Sequence, residues 1–288
     1  MADKHPVTRD KADESDGATV ELTRAERTEV ERRTALRAAV VFETVRREGD
    51  AELERPPIAL AFSGLAAGLS MGFSLVASGL IRAALPDAAW SPLVVNLGYT
   101  LGFLIVVLGR QQLFTENTVT AIIPLLDDRD KLQRLGKVVR LWGIVLATNL
   151  AGALAFAFFV AHSDVFSPAV KAAFLQEGLR ALAPGFVSVL LRGILAGWLI
   201  ALMVWLLPAA ERSRVAVIVI LTYVVGLGDL SHVVAGSVEA LYAVAAGAAT
   251  WSHFLAGYLV PVFLGNSIGG VLLVSILNYA QVAPESPG

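Results

Sequence analysis

Residues 93–126 read LVVNLGYTLGFLIVVLG, RQQLFTENT, VTAIIPLL, and residues 215–249 read VAVIVILTYVVGLG, DLSH, VVAGSVEALYAVAAGAA. Each is an apolar run longer than the roughly 20 residues that cross about 30 Å of hydrocarbon as a helix. Each is also interrupted by polar residues: Arg110, Gln111, Gln112, Glu116 and Asn117 in the first, Asp229 and His232 in the second. Such groups are costly against lipid. Irregular backbone at membrane depth is tolerated only where protein or a water-filled cavity surrounds it, so both breaks are expected to face inward.

Working outward, four further apolar runs cover 57–85, 138–161, 184–207 and 252–279. The chain is 56% hydrophobic and 17% charged, with mean hydropathy +0.65. A soluble domain carries about a quarter charged residues, so lipid is the expected solvent. The reading is an all-α integral membrane protein with six transmembrane helices, of which the second (92–126) and fifth (215–249) are broken. These are the middle spans of two three-span halves. An odd number of crossings turns the second half over, giving an inverted 3+3 repeat whose broken helices meet near the midplane, a sequence pointer to a transport site. Backbone groups freed at the breaks are expected to supply dipoles for a solute, and the inward helix N-termini to attract an anion.

Basic residues set the orientation. Arg129, Lys131, Arg134, Lys137 and Arg140 lie between spans two and three, and Arg212 and Arg214 between spans four and five. Basic loops stay in the cytoplasm, which places both termini there in an inner membrane. Trp90 and Trp251 then fall at the outer interface. The first 56 residues hold most of the charge. Residues 1–22 are read as a disordered tail. Residues 23–56 are read as a cytoplasmic amphipathic helix, over 23–48 with Val30, Ala38, Val41 and Val45 on one face, followed by a linker. Packing on the cytoplasmic mouth is preferred to lying flat on the bilayer. The channel domain is 57–280, and 281–288 a cytoplasmic tail. A start that is polar in overall character for more than fifty residues speaks against a signal peptide.

Other classes are disfavoured. A net charge of −2 gives no basic footprint for nucleic acid. There is no cysteine, and the four histidines lie far apart, so no metal or cofactor is expected. The breaks hold no Ser-His-Asp set or nucleotide loop, and the chain reads as no enzyme. Plainer roles stand beside the functional ones. Asp229, Thr115 or Asn117 serve equally well as helix caps. His162 and His253 sit at span ends and read as interfacial. Gly64, Gly68 and Gly72, with Gly265 and Gly269, read as close helix contacts. His232, inside the membrane, is the functional candidate.

LFTENT in the first break, SHVVAG in the second, TNLAGAL in span three, RGILAGWLIALMVW in span four and PVFLGNSIGG in span six together resemble the formate/nitrite transporter family. The resemblance spans about 57–279. It implies an aquaporin-like protomer in a homopentamer, with one path per protomer for small monovalent anions such as formate, nitrite or hydrosulfide. It assigns Leu113, Phe114 and Thr115 to the loop that narrows the cytoplasmic side, and His232 to the central histidine. Tyr99 and Phe103 fall at constrictions, and Tyr223 or Val224 where the family has an outer phenylalanine. The sequence also departs from the pattern. Gln112 and Glu116 stand where the family's loop has glutamate and glycine, and Gly197 and Gly236 replace asparagines. The break before His232 looks one residue longer, and the family's basic residue before span four has only Arg180 as a counterpart.

The function expected is a channel or transporter for small weak-acid anions in the bilayer. A weak acid avoids most of the desolvation cost of a narrow apolar pore by crossing as the neutral species. His232 would share a proton during passage, and Thr115 would orient its ring. Glu116, Asp229 and Arg110 are read as pore charges, with Arg110 a partner for Glu116 or both at a subunit contact. The two acids favour an alternative, a neutral-solute or cation pathway on the same scaffold.

Overall fold

The computed structural model describes residues 23–26, 36–127 and 130–282. The tail expected over 1–22 lies outside them, as do Val30 and all but the first two residues of the tail expected over 281–288. At 23–26, Thr23 and Glu26 cap each other: Thr23 N and Oγ1 donate to Glu26 Oε2 at 2.8 and 2.7 Å, and Glu26 N donates to Thr23 Oγ1 at 3.3 Å. This reciprocal pattern starts a helix.

The single helix expected over 23–48 is not what forms. Leu36 and Arg37 are non-helical, Arg37 being extended at φ −65° and ψ 147°, and helix α1 spans Ala38–Leu53. It runs through Gly49, where a Cβ would overlap the Thr120 carbonyl, so glycine permits a backbone-to-backbone approach. Phe42, Val45 and Leu53 are buried. The other face is charged: Arg46 and Arg47 bind Glu43 and hold its carboxyl down at about 2.

α2 (Pro57–Ala84) begins with proline at its first turn, where a missing N–H costs nothing. α3 (Ser91–Leu108) ends at the first break, and the chain resumes as α4 (Phe114–Thr120) and α5 (Ile122–Asp127). α6 (Lys131–His162) is capped by Asp130, which accepts from Gln133 N at 3.2 Å. Its basic first turns engage α1: Arg134 lies 3.0 Å from Asp50, Lys137 pairs with Glu54, and Arg140 donates to the Leu53 carbonyl at 2.6 Å.

α7 (Pro168–Leu182) lies between the apolar runs 138–161 and 184–207. It is a capped amphipathic helix that buries Val170, Phe174 and Leu182, with Phe174 against Gly79 of α2. α8 (Phe186–Leu206) precedes α9 (Arg214–Leu227), the second break and α10 (Ala235–Ala245). The last helix, α11, covers His253–Val282. Its π-helical turns His253–Leu259 precede Pro261, whose ring crowds the carbonyl four residues back; wider turns relieve that crowding.

Among the described residues, α2, α3, α6, the stretch Phe186–Ala209 and α11 are long and apolar enough to cross a membrane, whereas α9 and α10 are not. Eleven residues of helix rise only about 16 Å, so α10 reaches one surface from the interior.

Candidate pore

Both breaks begin with the same turn. Arg110 N donates to Val107 O and Gln111 N to Val106 O; Asp229 N donates to Gly226 O and Leu230 N to Val225 O. These are the paired bonds of a Schellman stop, which needs a left-handed residue just past the helix. That residue is Arg110 (φ 53°) in one break and Asp229 (φ 49°) in the other, where glycine is usual. Asp229 therefore ends α9 and does not cap α10, and Thr115 and Asn117 lie inside α4.

Each break is then fastened by one buried asparagine. Asn149 of α6 accepts from Phe114 N at 3.0 Å and donates to Gly64 O at 2.8 Å and Gln112 O at 2.9 Å. Asn266 of α11 accepts from Val233 N at 2.8 Å and donates to Gly193 O at 2.8 Å and Ser231 O at 2.9 Å. The two halves thus repeat one bond set. The glycines act as expected for close contacts: a Cβ on Gly68 would strike the Asn149 backbone, and one on Gly269 the Ile194 carbonyl. Sequence reasoning missed both asparagines, although each sits three residues before a glycine in motifs already singled out.

The pinning corrects another expectation. Many of the freed backbone groups face the protein and not a solute. Gln112 N donates to Ser63 Oγ at 3.0 Å, Arg192 donates to Asp229 O at 3.3 Å, and the Tyr258 hydroxyl donates to His232 O at 3.1 Å. Val234 N and Ala235 N donate to His232 Nδ1 at 3.3 and 3.1 Å.

That last pair fixes the imidazole. A nitrogen that accepts from two backbone N–H groups carries no hydrogen, so the neutral ring holds its proton on Nε2. Nε2 lies 2.8 Å from Thr115 Oγ1 and donates to it. The Thr115 hydroxyl keeps its own hydrogen to offer elsewhere. Phe103 meets His232 edge-on with centroids 5.0 Å apart, and Tyr99 lies 5.4 Å from Phe103. Leu113, Phe114, Thr115, Phe103 and His232 have no exposed surface. Phe114 is wedged between Trp142 and Phe263, each at 5.4 Å.

Cavities lie on either side of this plug. One is lined by Tyr99, Tyr258, Arg180, Arg192, Asp229 and Glu239 among others. The other is lined by Glu48, Glu52, Arg110, Gln112, Glu116 and Arg214 among others. Neither reaches Thr115 or His232. Glu239 and Tyr258 escaped the sequence reading. Glu239 lies in a stretch read as apolar helix. The Tyr258 hydroxyl occupies the space a side chain at Gly236 would fill.

Two site assignments change. Arg110 does not pair with Glu116; it lies 3.2 Å from Glu48 of α1, and its left-handed backbone turns the side chain outward to 68% exposure. Val224 is not at the constriction. It is 44% exposed on the outer face of α9, while the next residue, Val225, is fully buried and lines the cavity beside Tyr99. Tyr223 points its hydroxyl to Leu93 O at 2.9 Å. Arg180 does reach the break, with Nη1 3.8 Å from Asp229 Oδ1 and 3.3 Å from Glu177 Oε2.

The family model for formate/nitrite transporters matches residues 39–280. The chain is 39% identical over 272 residues to the inner membrane protein YfdC of Escherichia coli, covering 94% of this chain and 87% of that one. It is 27% identical over 272 residues to the formate channel FocB of the same organism, covering 82% and 91%. Among solved structures, an FNT family ion channel superimposes with TM-score 0.73 at 17% identity, over 86% of this chain and 99% of that one. A pentameric formate channel with formate bound gives 0.65 at 19% identity, over 83% and 99%. With its helical fold, buried breaks and matched length, the chain belongs to the formate/nitrite transporter family of membrane channels and transporters and is not an enzyme.

Proposed function

We propose that this protein passes small monovalent weak-acid anions, formate and nitrite among them, through a path in each protomer of an inner-membrane homopentamer. The halves form an inverted repeat, both termini are cytoplasmic, and α1 covers the cytoplasmic mouth. The observation that carries the reading is the Nε2–H of His232 donating to Thr115 between two cavities. A solute leaving either cavity meets an apolar plug whose polar groups are this ring and hydroxyl. An anion without its hydration would face several kcal/mol there, whereas its conjugate acid would not. The Thr115 hydroxyl offers that solute a donor, and His232 holds the hydroxyl in place while capping α10. Leu113, Phe114, Phe103 and Tyr99 exclude water and larger solutes. Val225 takes the outer position in place of Val224.

The test is formate and nitrite uptake into proteoliposomes across a range of pH. Thr115→Val and His232→Phe are expected to abolish most of the flux. Wild-type flux in both variants would refute a role for the pair. The carboxylates at both mouths favour a second reading, a neutral-solute or cation pathway; uptake of glycerol or ammonium with no uptake of formate would establish it.

A further inference from the structure

Each cavity holds one carboxyl group that lacks a partner. The inner cavity holds Glu48, Glu52 and Glu116 against Arg110 and Arg214. Glu48 pairs with Arg110 at 3.2 Å, and Glu52 accepts from Gln112 and Thr120. Glu116 Oε1 is buried and unpartnered, as is Nε of Arg214 in the same cavity. In the outer cavity, Arg180 is engaged with Glu177 and Asp229, and Arg192 with the Asp229 carbonyl. Glu239 is left over there. It lies one turn beyond Gly236 on α10, lines the same cavity, and makes no hydrogen bond or ion pair among the described residues.

We propose that Glu239 is a specificity-determining residue of the outer mouth, making the entry of a weak-acid anion conditional on a proton. This rests on the reading above and narrows its substrate class to solutes whose conjugate acid is weak enough to exist in solution. An anion approaching Tyr99 and Phe103 passes Glu239 where Arg180 is held by two carboxylates and Arg192 by a main-chain carbonyl. While Glu239 is ionised, its charge turns the anion away. The mouth opens to the solute when either carries a proton. The other ionisable groups facing this space are Glu177 and Arg180 of α7, Arg192 of α8, Asp229 of the break, Tyr99 of α3 and Tyr258 of α11, with Arg82 of α2 near Glu177. Of the carboxylates among them, Glu239 is the one with no cation or donor of its own. Glu116 is its counterpart at the inner mouth.

The test is formate uptake into proteoliposomes at two acidities, about pH 5 and about pH 8. Glu239→Gln keeps the shape and removes the charge. It is expected to raise uptake at the higher pH about tenfold and leave the lower within about twofold, so that the ratio collapses. Glu239→Asp is expected to keep the wild-type ratio. Glu239→Ser, neutral and smaller, gives the same answer if the glutamine variant does not assemble. A wild-type ratio in both neutral variants overturns this inference and leaves the function intact. Wild-type protein that carries no weak acid at either pH overturns the proposed function, and this inference with it.

Discussion

Removing Asn149 or Asn266 is expected to loosen one break each and to cost the same amount. Each side chain is fully buried and makes three hydrogen bonds to main-chain groups. Asn149→Ala orphans Phe114 N–H and Gln112 C=O, and Asn266→Ala orphans Val233 N–H and Ser231 C=O; Gly64 C=O and Gly193 C=O, inside α2 and α8, keep their helix bonds. An unsatisfied buried polar group costs about 1–3 kcal/mol, so two amount to about 2–6 kcal/mol. At about 1.4 kcal/mol per factor of ten, local opening becomes roughly thirtyfold to ten-thousandfold more frequent. Hydrogen exchange by mass spectrometry reads this directly: peptides spanning 110–117 should speed up in Asn149→Ala, and peptides spanning 229–236 in Asn266→Ala. Thermal melting in detergent should fall in both. Asn96 is the control, since it makes one local bond to Pro92 O at 2.9 Å and is only partly buried. If both variants melt and exchange like Asn96→Ala, the breaks are held by something other than these asparagines.

Asp229→Gly, and Arg110→Gly measured in a Glu48→Gln background, should each raise the melting temperature by the equivalent of about 1 kcal/mol. Both relieve a left-handed side-chain-bearing residue, and unchanged or lower melting would argue against that strain. Gly236→Ala should destabilise by about 1–3 kcal/mol through overlap with the Tyr258 hydroxyl, and adding Tyr258→Phe should restore part of the loss in the same melt. Glu52 governs how α1 docks as pH changes. Burial raises its carboxyl above the ordinary value, outweighing the bonds from Thr120 and Gln112. The docked state therefore favours the proton: the stabilisation is complete below the free-carboxyl value and lost as pH rises through the docked one. Exchange of α1 amides, corrected for intrinsic rate, should climb over that interval in wild type and stay level in Glu52→Gln.

Lipid makes the gross architecture legible, because polar residues inside apolar runs have few places to go. The six runs, Pro57 at the start of the first and the two breaks all emerge from that rule, and Thr115 and His232 do meet across the halves. The same rule is blind to direction. It places Arg110 and Glu116 in one break, but a single left-handed residue sends Arg110 to Glu48, sixty-two positions away in sequence. One-residue register is equally hidden: Val224 and Val225 are identical in chemistry, and only the rotation of α9 puts the second inward. α7 falls outside the six runs because Lys171, Glu177 and Arg180 interrupt an apolar face of Val170, Phe174 and Leu182. The asparagines mark the limit more sharply. A buried Asn in a spanning helix must find partners for its amide, which the sequence does say. Which partners depends on carbonyls uncovered only after α3 and α9 have stopped, so those bonds belong to the breaks as much as to the asparagines. A break without its asparagine would leave Phe114 N–H or Val233 N–H unpaired, and an asparagine without its break would find no such N–H to accept. Each is the condition for the other, and the plug of Leu113, Phe114, Thr115 and His232 hangs between the two fastenings.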